Sequence, residues 1–135
     1  MPAYSFKERF IPKIESGDKT HTIRGKRKAR PLPGQKFVGF YAMRTKHCRK
    51  IIESVITQVQ DIMIEVNNRR HMYYLDFRIN GNLLAHDEME TLAVRDGFSC
   101  LREMMEFWEG RLPFSGDIIH WKFPGSMNMD NEVKA

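Results

Sequence analysis

Apolar positions recur along this chain with two different periods. In FKERFIPKIESG, Phe6, Phe10, Ile11 and Ile14 fall on one face of a helix. Pro12 sits inside that pattern, so the helix starts or bends there, and Gly17 ends it. THTIR places β-branched residues alternately and predicts a short strand. GKRKARPLPGQK, with two prolines and two glycines among its charges, is a loop. KFVGFYAMR is a strand rich in aromatic and β-branched residues. RKIIESVITQVQDIMIEV admits a helix, but VITQV and IMIEV alternate and favour strands. In YYLDFRINGNLL, Asn80-Gly81 between apolar runs predicts a hairpin. The period then lengthens. HDEMETLAVRDGF reads as a helix capped by Asp87 with Glu90 three residues on. SCLREMMEFWEG reads as a second helix, capped by Ser99 and stopped by Gly110. SGDIIHWKF is a last strand.

This order predicts an α+β chain: a small mixed β-barrel of about five to six strands, with an N-terminal helix and two helices before the closing strand. A length of 135 residues fits one domain, taken as residues 1–125, followed by a polar, flexible tail over 126–135. No apolar run approaches the roughly 20 residues of a membrane span, and MPAYSFKERFIPKI has no apolar signal core. Cys48 and Cys100 make no disulfide framework, which points to a reducing cytoplasm. Cys48 reads as a buried or half-buried strand residue.

Charge sharpens the picture. The chain carries a formal +5, but Lys19 to Lys50 contains eleven Lys or Arg and no acid, while the remainder is acidic by six charges. One positive face for a phosphate backbone or an anionic substrate is the expectation. The histidines and cysteines His21, His47, Cys48, His71, His86, Cys100 and His120 follow no zinc spacing, and no metal or other cofactor is expected. Neither a P-loop nor a nucleophile-elbow motif occurs.

An ordered set of motifs then stands out. Phe10, Ile14, Gly17, Lys19, Thr22, Ile23 and Arg24 form F-x-x-x-I-x-x-G-x-K-x-x-T-I-R. Pro33-Gly34 and MRTKHC follow, then Ala93, Asp96, Gly97 and Phe98 as A-x-x-D-G-F, and Ile119, Trp121 and Phe123 as I-x-W-x-F. Over residues 4 to 123 this set resembles the ASCH family of the PUA-like superfamily. The resemblance implies a PUA-like β-barrel, a cleft lined by the Lys–Thr motif, and RNA or a modified nucleoside as partner. One bacterial branch of that family comprises amidohydrolases acting on N4-acetylcytidine through a Lys, a Thr and a carboxylate. Those roles fall here on Lys19, Thr22 and Asp96. That branch has glutamate where this chain has Asp96, and this chain is longer, chiefly in residues 25 to 32 and 60 to 86.

The chemistry sets its own conditions. On a regular strand, Lys19 and Thr22 face opposite sides, so a turn or bulge must bring both to one cleft. Threonine is a weak nucleophile until a base takes its proton. Lysine is that base only where burial or a nearby cation lowers its pKa. Asp96 protonates the leaving amine only where its own pKa is raised. Arg24 orients a carbonyl or binds phosphate, with Lys26, Arg27, Lys28 and Arg30 as further phosphate contacts. Tyr41 is placed to stack a base, and Arg44 and Lys46 to bind phosphate or carbonyl. On this reading, Lys19→Ala abolishes turnover and leaves the melting temperature nearly unchanged. The alternatives are a non-catalytic RNA-binding module on the basic segment 19–50, a ribonuclease using Lys19 and Asp96, and a domain whose positive face meets an acidic protein.

Overall fold

The computed structural model describes residues 1–67 and 75–124. Tyr73, Tyr74, His71 and the polar tail over 126–135 lie outside them. The N-terminal AYSF alternates buried and less buried positions and forms β1 (Ala3–Phe6). Phe6 therefore belongs to a strand, paired in parallel with β3 (Lys36–Tyr41), and not to the helical face expected of it. One 3₁₀ turn (Glu8–Phe10) leads into α1 (Ile11–Ser16). Pro12 falls in the first turn of α1, where its missing N–H costs nothing. Gly17 takes a left-handed φ of 89° and ends it. β2 (His21–Gly25) follows.

The ambiguous segment is one strand, β4 (Arg49–Val66), 18 residues long. Its first part pairs with β3, its middle with β7 (Phe114–Trp121), and its end with β5 (Leu75–Ile79). Asn80 and Gly81 both have positive φ, 51° and 83°, and turn β5 into β6 (Asn82–Leu83), as the dipeptide predicts. α2 (His86–Arg95) is entered at Ala85, not Asp87: Glu88 Oε1 accepts the Ala85 N–H at 2.9 Å. α3 (Leu101–Trp108) begins after Cys100, while Ser99 Oγ donates to Glu103 at 2.7 Å. None of the helices among the described residues is long and apolar enough to cross a membrane.

The chain is thus mixed α+β. Among the described residues, seven strands run in the order β1-β3-β4-β5-β6, with β7 against β4 and β2 against β7. The expected closure into a barrel is not completed by backbone pairing. Among the described residues, β1 and β2 are edges that share no ladder. Arginine side chains span the gap: Arg24 Nη2 donates to Ser5 O at 2.6 Å, and Arg27 Nη2 donates to Ala3 O at 2.9 Å. The core holds Phe37, Ile56, Ile62, Ile64, Phe77, Met104, Ile118 and Trp121, with the buried faces of all three helices packed around it.

Candidate functional site

A cavity of about 300 Å³ opens along that unpaired seam. Ser5, Phe6 and Lys7 line one side, and Thr22 to Gly25 the other. Phe10, Phe98, Phe107 and Trp108 make aromatic walls. Lys19 and Asp96 lie inside it, so all three residues singled out as catalytic meet in one place.

Local backbone explains the convergence. β2 begins only at His21, so Lys19 sits in the irregular stretch between α1 and the strand, where its N–H donates to Lys13 O at 2.9 Å. That irregularity frees Lys19 from strand alternation. Asp96 comes from the turn between α2 and α3, held by its N–H to Leu92 O at 2.9 Å. Gly97 has φ +105°, and a Cβ there would stand 2.6 Å from Phe10 Cδ1. Glycine takes this turn without strain, and the turn sets Asp96 beside Lys19.

Lys19 Nζ donates to Asp96 Oδ1 at 2.8 Å and to the Asp96 carbonyl at 2.6 Å. Lys19 is 3% exposed and Asp96 6%. Burial pulls the ammonium below its ordinary value, and Asp96 opposes that pull without overcoming it. Arg24 and Lys13 add smaller downward pushes. The carboxyl behaves differently. Burial alone would raise it, but Lys19 and His21 together hold it below the usual range. Asp96 is therefore ionised, and the expectation of a protonated carboxyl acid is corrected. The expectation that Lys19→Ala is thermally silent falls with it, because Lys19 is half of a buried ion pair.

Thr22 is buried, and its Oγ1 accepts a hydrogen bond from Arg24 Nε at 2.9 Å. The hydroxyl hydrogen is left free for another acceptor, and the guanidinium favours negative charge on that oxygen. His21, which the sequence offers only as a possible metal ligand, stands beside the Lys19–Asp96 pair. It is 3% exposed, with Nε2 3.2 Å from Asp96 Oδ1, off the line a hydrogen bond needs. It also lines a second cavity of about 520 Å³ with Gln60, Arg95 and His120. His21 thus links Asp96 of the seam cavity to the lining of the second. His120 Nε2 meets Gln60 Oε1 at 2.6 Å, and burial, aided by His21 and Arg95, pulls His120 down to about 4. No group of three or more His, Cys, Asp or Glu is set to hold a metal ion among the described residues.

The remaining candidates are dispersed. Tyr41, Arg44 and Lys46 lie at and after the end of β3, away from the cavity lining. Arg27 covers the Tyr4 ring at 4.3 Å, and Lys28 is exposed on the loop. Lys26 and Arg30 turn inward: Lys26 Nζ reaches Asp117 Oδ1 at 2.6 Å, and Arg30 Nη2 reaches it at 3.1 Å. Both also bond Asp61, the direct cross-strand partner of Asp117. Two carboxylates opposed on adjacent strands repel; the basic loop neutralises them. Charge counted along the chain showed an acid-free segment, but the fold supplies acids from β4 and β7. Cys48 is exposed in the turn before β4, against the expectation of burial. The aromatic walls and the His21 contact were legible only as helix core and as scattered histidine.

Searches of protein-family models, curated proteins and solved structures return no match to this chain.

Proposed function

We propose that the chain is a PUA-like domain of the ASCH type, whose seam cavity accepts a nucleobase or nucleoside, and that it hydrolyses the amide of an N4-acylated cytidine. The observation carrying this reading is the convergence of Lys19, Thr22 and Asp96, from segments 77 residues apart, in one aromatic-lined cavity. The aromatic walls suit a flat base. The open seam is read as a barrel closed by arginines in place of a final ladder.

The chemistry follows from the side chains. Lys19, with its ammonium destabilised by burial, gives up its proton more readily than a surface lysine and takes the Thr22 hydroxyl proton. Thr22 Oγ1 bonds to the acyl carbon while Arg24 favours its negative charge. The C–N bond breaks, and the proton on Lys19 passes to the departing N4 amine. Water then cleaves the acyl-threonine ester, returning free threonine and the carboxylic acid. Asp96 stays ionised throughout and holds Lys19 in position.

One observation favours a second reading, a binding module without chemistry. Two of the three ammonium N–H groups of Lys19 are bonded inside the chain, both to Asp96. Such a pair serves equally to clamp the stretch before β2 to the α2–α3 turn.

The deciding experiment incubates wild type and Thr22→Val with N4-acetylcytidine and, separately, with a short RNA. Valine matches threonine in shape but removes the hydroxyl and with it the acceptor for Arg24 Nε, so an unchanged melting temperature checks that the fold is kept. Ultraviolet absorbance follows cytidine release. Release by wild type alone supports the hydrolase. No release, with a shifted intact RNA, leaves the binding module. No release and no binding of either ligand removes both readings.

A further inference from the structure

Four cations line the seam cavity, Lys7, Lys19, Arg24 and Arg111, against the single carboxylate of Asp96. Lys19 is matched to that carboxylate. Arg24 is turned to Ser5 O and Thr22. Lys7 and Arg111 differ: both are exposed, and neither is ion-paired with an acid among the described residues. Nearby Arg9, by contrast, is neutralised by Glu103. Both free cations rest on one ring. Lys7 Nζ stands 5.0 Å from the Phe107 centroid, and Arg111 Cζ 4.3 Å from it. Arg111 also donates to the Phe107 carbonyl, and its own N–H donates to Trp108 O at 2.9 Å. Phe107 is fixed in turn against Phe98 at 5.5 Å and Trp108 at 5.2 Å. The ring is a platform holding two like charges at the cavity mouth, an arrangement that an incoming anion stabilises.

We propose that the mouth is a phosphate subsite, in which Lys7 and Arg111 bind the phosphate of a nucleotide whose base enters the cavity. The inference rests on the nucleoside reading of the cavity and narrows it to phosphorylated ligands, either free mononucleotides or units of an RNA chain. Arg111 supplies the planar fork suited to phosphate, and Lys7 a point charge. None of the loop cations at 26 to 30 takes part.

The test measures binding of cytidine, cytidine 5′-monophosphate, ribose 5-phosphate and a 5′-hydroxyl tetranucleotide to wild type and to Lys7→Gln/Arg111→Gln. Trp108 in the cavity wall provides a fluorescence signal. Both substituted side chains are exposed, and an unchanged melting temperature checks the fold. The nucleotide should bind wild type roughly 10-fold or more tighter than cytidine, with a steeper salt dependence. That advantage should vanish in the double variant. Cytidine binding with no gain from phosphate, or a gain the double variant retains, overturns the subsite and leaves the nucleoside reading standing. Cytidine failing while cytidine 5′-monophosphate and ribose 5-phosphate both bind through Lys7 and Arg111 keeps the subsite and removes the nucleobase reading. Failure of every probe overturns both. Tetranucleotide binding tighter than the mononucleotide identifies the chain as the source of the phosphate.

Discussion

Replacing Lys19 with Met keeps the aliphatic stem and deletes the ammonium. Two hydrogen bonds disappear, to Asp96 Oδ1 and to the Asp96 carbonyl. Asp96, 6% exposed, becomes a carboxylate with only His21 beside it at 3.2 Å to offset its burial. Removing one partner of a buried pair costs about 3–5 kcal/mol. For a domain of this size that lowers the thermal midpoint by roughly 10 °C or more. Urea denaturation should show a lower midpoint with an unchanged slope. The dependence on pH separates this from loss of packing. In wild type the folded carboxyl lies below the unfolded value of about 3.9. Its stabilising contribution is therefore present above that value and lost as pH falls through the lowered folded one. Without Lys19, burial lifts the folded value above the unfolded one, so the folded state is penalised at neutral pH and relieved as pH falls. The gap between the two proteins should be widest near pH 7 and narrow toward acid. Lys19→Met/Asp96→Leu should recover most of the loss, since no uncompensated charge remains. A Lys19→Met protein within about 1 kcal/mol of wild type at pH 7, or a gap that stays flat down to pH 4.5, refutes the reasoning.

Three further outcomes are expected. The His120 ring should titrate near 4 by nuclear magnetic resonance; a midpoint at an ordinary 6.5 would show that it is not held neutral beside His21 and Arg95. Gly97→Ala combines a left-handed φ with a Cβ 2.6 Å from Phe10 and should cost about 2–4 kcal/mol. Gly81→Ala has the φ but open space, and should cost less; equal melting shifts for the two would contradict the packing argument. Lys26→Gln/Arg30→Gln leaves Asp117, 1% exposed, facing Asp61 with neither cation and should lower stability by about 3 kcal/mol or more, only slightly recovered by added salt because the carboxylate is buried. Unchanged stability at low salt would mean that the loop does not neutralise that pair.

The strand segments, the Asn80-Gly81 turn and the Gly17 stop were legible because each is a local device. Alternation, positive φ and helix termination are set by neighbours in sequence. The meeting of Lys19, Thr22 and Asp96 was legible only through the order of motifs, since no local pattern joins residues this far apart. What escaped is tertiary. β4 is one strand because β3, β7 and β5 pair with it in succession, which no window of its own sequence reveals. Phe6 fits a helical face by spacing, yet β3 offers a ladder and Tyr4 and Phe6 alternate inward. The burial of Lys19 and the ionised state of Asp96 depend on each other, so neither could be read from its own surroundings in the chain. The commitment of Lys26 and Arg30 to Asp61 and Asp117 appears only once β4 and β7 are side by side.

The register of β2 against β7 also bears on biosynthesis. His21 pairs with His120 and Gly25 with Gly116, and among the described residues β2 has no other ladder. A ribosome that has passed residue 100 has already made Lys19, Thr22 and Asp96. β2 still has no backbone ladder until the last strand emerges. Closing so long a loop is slow, and the Lys19–Asp96 pair cannot be shielded before it happens. The cavity is therefore assembled late, and a nascent chain stalled before β7 carries every proposed site residue without a site.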